Sequence, residues 1–188
     1  MPMMPVIQSS LSNEDLIDMI KTNSTPEISF SNSGLGLEGQ SIQSLVSLLN
    51  SNSHITTLLL LQNNIQDATA KILAQLQHIS SLNLSNNDIT IKGAIELCKN
   101  SSLQKIDLSK NNFTQGNDKD LIEAIRQNLK LKQLNLSSCG LKEETIKNIS
   151  EILRKRKPEL SAAVGFFNSK KFQTTTTISA SKNYCNFM

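Results

Sequence analysis

The chain has 188 residues, 38% apolar and 19% charged, with a formal net charge of +3, which is room for one domain, or one domain and a tail, at about 100–200 residues per domain. Uncharged polar residues fill the rest, 25 Ser and 20 Asn among them, while aromatics are only 4% and Trp is absent. That composition argues against an aromatic stacking surface for single-stranded nucleic acid, a general cationic nucleic-acid binder and a bilayer-spanning run of about 20 apolar residues.

The chain opens Met1-Pro2-Met3-Met4-Pro5, with neither a basic n-region nor an apolar run of signal length, so no standard secretory route is expected. Cys98, Cys139 and Cys185 are odd in number and widely spaced. They suit neither a disulfide framework nor a zinc knuckle, and folding in a reducing compartment is expected. Ser12 is placed to cap a helix over Asn13–Thr22. Glu14 and Asp15 lie in its first turn, and Leu16, Ile17, Met19 and Ile20 supply its apolar residues. Residues 1–24 are therefore expected to form a helical cap.

From residue 25 the chain repeats itself. An apolar-x-x-apolar-x-apolar-x-x-Asn-x-apolar frame is filled by Ile55, Leu58, Leu60, Asn63 and Ile65. It recurs as Ile79, Leu82, Leu84, Asn87 and Ile89, then as Leu103, Ile106, Leu108, Asn111 and Phe113. A fourth copy, Leu131, Leu134, Leu136, Cys139 and Leu141, puts Cys in the Asn slot. A degenerate copy, Thr25, Ile28, Phe30, Ser33 and Leu35, precedes them all. Each frame is followed by helix-period apolar residues, over Asp67–Leu76, Ile89–Cys98, Asp118–Leu129 and Glu143–Arg156.

These frames resemble the leucine-rich repeat family over residues 25–157, and within it the ribonuclease-inhibitor-like subclass. The resemblance implies an α/β solenoid, a right-handed horseshoe of about five repeats. A parallel β-sheet would line its concave face and α-helices its convex face. The apolar-x-apolar segments read as strands. The Asn side chains of Asn63, Asn87 and Asn111, with Cys139 in the fourth slot, would satisfy backbone groups where the chain leaves each strand, as a buried structural ladder.

Toward the C-terminus, Arg154-Lys155-Arg156-Lys157 precedes Pro158. Cations there complement the end of a helix, with a nuclear-localisation or anionic-membrane patch as the competing reading. Residues 158–188 are read as a cap over the last repeat, formed by Ala162–Phe167, followed by a Ser/Thr-rich tail.

For chemistry the chain offers little. His54 and His78 stand 24 residues apart, before successive frames, and the equivalent residues of the next two copies are Ser102 and Lys130. No third ligand is evident for a metal, and the seven Gly form no phosphate-binding loop. The expectation is a protein that is not an enzyme and needs no cofactor.

What remains is the surface. Alternate strand residues point out of the sheet as columns. One column is Ser29, Leu59, Asn83, Asp107, Asn135; its neighbours are Ser31, Leu61, Ser85, Ser109, Ser137 and Glu27, Thr57, Ser81, Lys105, Gln133. Leu59 and Leu61 form an apolar spot, and Lys105, Asp107 and Lys110 a charged one. A protein partner is therefore expected over Leu59, Leu61, Asn83, Ser85, Lys105, Asp107 and Asn135, with the protein itself a monomer. The style of repeat and the tail further resemble leucine-rich-repeat effectors of intracellular bacterial pathogens. That likeness implies delivery into host cytoplasm and a host protein as partner. Similarity to repeat-containing activators of small GTPases implies the alternative, a GTPase regulator.

Overall fold

The computed structural model describes residues 13–23, 25–32 and 39–156. Among these residues six helices alternate with five three-residue strands. These are α1 (Asn13–Thr22), β1 (Glu27–Ser29), α2 (Gln40–Ser51), β2 (Thr57–Leu59), α3 (Asp67–Leu73), β3 (Ser81–Asn83), α4 (Ile91–Lys99), β4 (Lys105–Asp107), α5 (Asp118–Gln127), β5 (Gln133–Asn135) and α6 (Glu143–Lys155). The strands form one parallel sheet in chain order, β1 to β5. It is the open leucine-rich-repeat solenoid, its sheet on the concave side. The expected cap and tail over 158–188, Ser12 and the Ser33 and Leu35 slots lie outside the described residues.

Register follows the frame. Ile28, Leu58, Leu82, Ile106 and Leu134 pair across the sheet in one line, and all five are buried. Pairing continues beyond the short strands: Leu60 donates its N–H to Asn83, Leu84 to Asp107 and Leu108 to Asn135. At the following bend Asn32, Gln62, Asn86, Lys110 and Ser138 all take φ of 55–59°. Left-handed backbone is unfavourable for residues with a Cβ, least so for Asn. The ladder offsets it, because the N–H groups of Asn32, Gln62, Asn86 and Lys110 each reach a carbonyl of the next repeat.

The core is one continuous column between sheet and helices. Leu45 and Leu49 of α2, Leu73 of α3, Ala94 and Leu97 of α4 and Leu121 and Ile125 of α5 are fully or almost fully buried against the strand leucines. No repeat closes this core alone, so stability is shared between neighbours. α1 packs on α2 and sends Ile20 into the same core. Helix α2, whose Ile42, Leu45, Val46 and Leu49 face inward, was not anticipated by the frame-based reading. α3 stops at Leu73, short of the expected Leu76, and α5 at Gln127, short of Leu129.

Neighbouring helices are tied at their starts. Asp67, the first residue of α3, accepts from the N–H of Thr90 (2.8 Å), the Thr90 hydroxyl (2.6 Å) and the N–H of Gly93 (3.1 Å). One carboxylate thus caps the next repeat's helix, where the macrodipole favours negative charge. The hydroxyl of Thr145 makes the matching bond to Asp118, at 2.6 Å. Gly93 is needed for this contact, since a Cβ there would sit 2.6 Å from Asp67 Oδ1 and 2.9 Å from Ile89 Cγ2. Gly93→Ala is therefore expected to destabilise by ~1–3 kcal/mol through displacement of Asp67, despite Ala's better helix propensity of about 1 kcal/mol. Chemical denaturation checks this; a variant more stable than wild type would contradict it.

Candidate protein-binding face

The bends that leave the strands are built on side-chain amides. Asn87 Nδ2 donates to the carbonyls of Leu60 and Leu84, both at 3.0 Å. Its Oδ1 accepts the N–H groups of Asn63 and Ile65, both at 2.9 Å. Asn111 repeats the pattern toward Leu84, Leu108 and Ile89, and Asn63 reaches back to Phe30. Cys139 keeps one of these bonds, its thiol donating to the Leu108 carbonyl at 3.0 Å. Amides satisfy donor and acceptor at once, whereas a thiol donates and accepts only weakly.

A second ladder, which the sequence reading missed, sits at the other end of the strands. Asn100 Nδ2 donates to Ala74 and Leu76, while its Oδ1 accepts from Ser102 and Leu103. Asn128 does the same between Cys98, Asn100, Lys130 and Leu131, and Asn52 bonds Ile20, His54 and Ile55. The signal was available: Asn recurs three residues before three of the frames. In the remaining full frame that position is Leu76, and Asn50 from the preceding helix supplies the bonds instead, to Gln75 and Gln77.

Burial pushes both described thiols up, Cys98 to about 12 and Cys139 to about 11 from an ordinary 9.0. Unfolding then releases protons that the fold holds, so their contribution to stability is intact below pH 9 and is lost from about 9 toward 12. The urea midpoint is expected to fall above pH 9, less steeply in Cys98→Ala. An equal slope in that variant would contradict the assignment.

Arg156, expected to complement the end of its own helix, serves the end of α5 instead. Its guanidinium donates to the carbonyls of Leu131, Ile125 and Arg126, closing the C-terminal end of α5. Arg154 and Lys155 remain exposed.

The concave columns stand as the spacing predicts: Glu27, Thr57, Ser81, Lys105 and Gln133 in one, Ser29, Leu59, Asn83, Asp107 and Asn135 in the next. Leu59, Leu61, Asn83, Ser85 and Asn135 are half-buried and Lys105 is exposed. Asp107 is different. It is only 6% exposed; its carboxylate accepts from the Ser109 N–H and hydroxyl and from Asn135 Nδ2. The expected charged spot is thus corrected to exposed Lys105 and Lys110, because Asp107 closes an Asx turn. Asn83 and Asn135 close the same turn, accepting from the N–H groups of Ser85 and Ser137. The middle column is therefore largely committed to holding the strands' ends, while the lysines and the Leu59–Leu61 pair face outward with no such task.

Among the described residues no three His, Cys, Asp or Glu side chains gather as metal ligands. His54 and His78 are both exposed, on adjacent loops. No described helix is long and apolar enough to cross a membrane.

Residues 53–113 match a family model for the Leucine rich repeat, and residues 130–152 match a second Leucine Rich Repeat model. Together with the five-stranded solenoid, they make this a leucine-rich-repeat fold. The tropomodulin C-terminal domain of Caenorhabditis elegans is similar in structure at a TM-score of 0.63 and 21% identity, over 80% of this chain and 96% of that one. The Leiomodin-1 Actin-Binding Site 2 structure is similar at 0.63 and 18% identity, over 85% of this chain and 94% of that one. No curated protein matches the sequence.

Proposed function

We propose that the protein is a non-catalytic binding module whose concave face takes a protein partner. The observation that carries this is the half-exposed pair Leu59 and Leu61 on β2 and its bend, set in an otherwise polar sheet two strands from Lys105. Five strands at about 4.8 Å span ~20 Å, the width of one helix or extended segment, and apolar area beside oriented polar groups suits a small specific interface. The partner set remains Leu59, Leu61, Asn83, Ser85, Lys105 and Asn135, with Asp107 supporting them from beneath.

The finer reading is a ribonuclease-inhibitor-like effector of an intracellular bacterial pathogen, acting on a host protein in host cytoplasm. Its support is the Asn/Ser-rich repeat style and the Ser/Thr-rich residues 168–188. Deleting 168–188 is expected to abolish translocation in a secretion assay; unchanged delivery would oppose the reading. Regulation of a small GTPase rests on resemblance of the repeats alone, and a GTP-hydrolysis panel without acceleration would remove it. Likeness to the Leiomodin-1 Actin-Binding Site 2 makes actin one candidate partner, which filament co-sedimentation tests.

Leu59→Ser with Leu61→Ser is the direct test of the binding face itself. Both side chains are already half-solvated, so the variant is expected to melt cooperatively near wild type while losing partner capture. Capture that survives this pair but is lost when Arg154 and Lys155 become Ser would move the site to the basic edge.

A further inference from the structure

Charge is segregated along the solenoid. Residues 13–98 hold three Lys and Arg against eight Asp and Glu, whereas residues 99–156 hold twelve against seven. In the second stretch the acids lie on helices: Asp118, Asp120 and Glu123 on α5, Glu143, Glu144 and Glu151 on α6. The exception is Asp107, buried and held in its turn. The last two repeats therefore present Lys105 on β4, Lys110 at the bend after it, and Lys130 and Lys132 on the loop leading into β5, all exposed, with no exposed acid among them. Among the described residues the ion pairs are Lys99–Glu96 and Arg126–Glu123, so none of these four lysines is neutralised. Lys132 is drawn toward the β4 side by a bond to Gln104 Oε1 at 2.9 Å, which keeps two cations beside the end of β4. Two strands away, about 10 Å at the parallel-sheet spacing, lies the Leu59–Leu61 pair, and the other acid on a described strand, the half-buried Glu27, is on the far edge strand.

We infer that the concave face binds an acidic peptide segment of its partner, laid across the strands with carboxylates over Lys105, Lys130 and Lys132 and an apolar side chain against Leu59 and Leu61. This rests on the concave face being the binding face, and it names the ligand's chemistry. Like-charge repulsion from Glu27 fixes the direction, acidic end over β4 and β5. A nucleic acid fits the same surface less well: the cations stop after two repeats, and the described sheet offers no aromatic for base stacking. A flat anionic bilayer cannot follow a concave sheet into contact with Leu59.

The test is selection of dodecapeptides from a random display library on the full chain, followed by titration of the selected peptides at low and physiological salt. The expected peptides are rich in Asp and Glu with an apolar residue to one side. They weaken with salt and bind ~tenfold less well to Lys105→Glu with Lys132→Glu, whose melting stays at the wild-type value. A uridine dodecamer and phosphatidylserine vesicles are expected to bind more weakly than the peptides. Peptides without acidic enrichment, no selection above background, tighter binding of the uridine dodecamer or the vesicles, or indifference to the lysine reversal overturns the inference. Peptides indifferent to the lysines but lost by Leu59→Ser with Leu61→Ser would leave the concave face as binding face while overturning the acidic ligand. Indifference to both variants would overturn the two together.

Discussion

Asn87→Ala is expected to lower stability by ~3–5 kcal/mol. The side chain is buried in the middle repeat and serves backbone groups of two neighbouring repeats: the carbonyls of Leu60, Leu84 and Ser85 and the N–H groups of Asn63 and Ile65. Removing it takes a partner from each of these groups, although the Leu84 carbonyl keeps the bond from Asn111, and each buried group left stranded costs about 1–3 kcal/mol. Relaxation at the bend recovers part of that sum. Because a repeat array is stabilised through its neighbours, damage at its centre should also uncouple the two ends. The urea transition is expected to shift down and broaden. Asn87→Asp keeps the acceptor and loses the donor, so it should fall between wild type and Ala; a neutral Asn87→Ala would refute the ladder's role.

Leu84→Ala should be nearly as damaging, at ~2–5 kcal/mol. Leu84 is fully buried and lies between strand and helix layers, where a cavity cannot fill by movement of the flanking backbone. That backbone is held by the Asp107 carbonyl on one side and by Asn87 and Asn111 at the Leu84 carbonyl. Lys92→Ala on the exposed side of α4 is the control. A Leu84→Ala shift no larger than the control's would mean that the strand register is displaced.

Much of this architecture was legible because it repeats. Ile28, Leu58, Leu82, Ile106 and Leu134 occupy one frame slot, and a period-2 strand leaves no choice about which neighbours face outward. The helix bounds of α1, and the starts of α3, α5 and α6, follow from apolar spacing, while α4 begins at Ile91, two residues into the run read from Ile89. Helix α2 was missed although Ile42, Leu45, Val46 and Leu49 recur at helical spacing after the degenerate first frame. Asp107 escaped for a different reason. Frame position gives the direction of its Cβ, but its burial is set by Ser109 in the turn and Asn135 twenty-eight residues on, which spacing does not encode. Arg156 is similar: a basic run reads as surface, while its partners at Ile125 and Leu131 are fixed by how α6 lies on α5. The lysine cluster was hidden too, because Lys105 and Lys132 come from different frames and meet through strand pairing.

The central claim is that recognition belongs to the strand side of the solenoid. Photocrosslinking measures this without knowing the partner in advance, using p-benzoylphenylalanine in place of Ser81, in the middle of the concave column, or in place of Lys92 on α4. A discrete adduct is expected from position 81, lost when Leu59 and Leu61 become Ser, and none from position 92. An adduct formed from position 92, with position 81 silent, would contradict it.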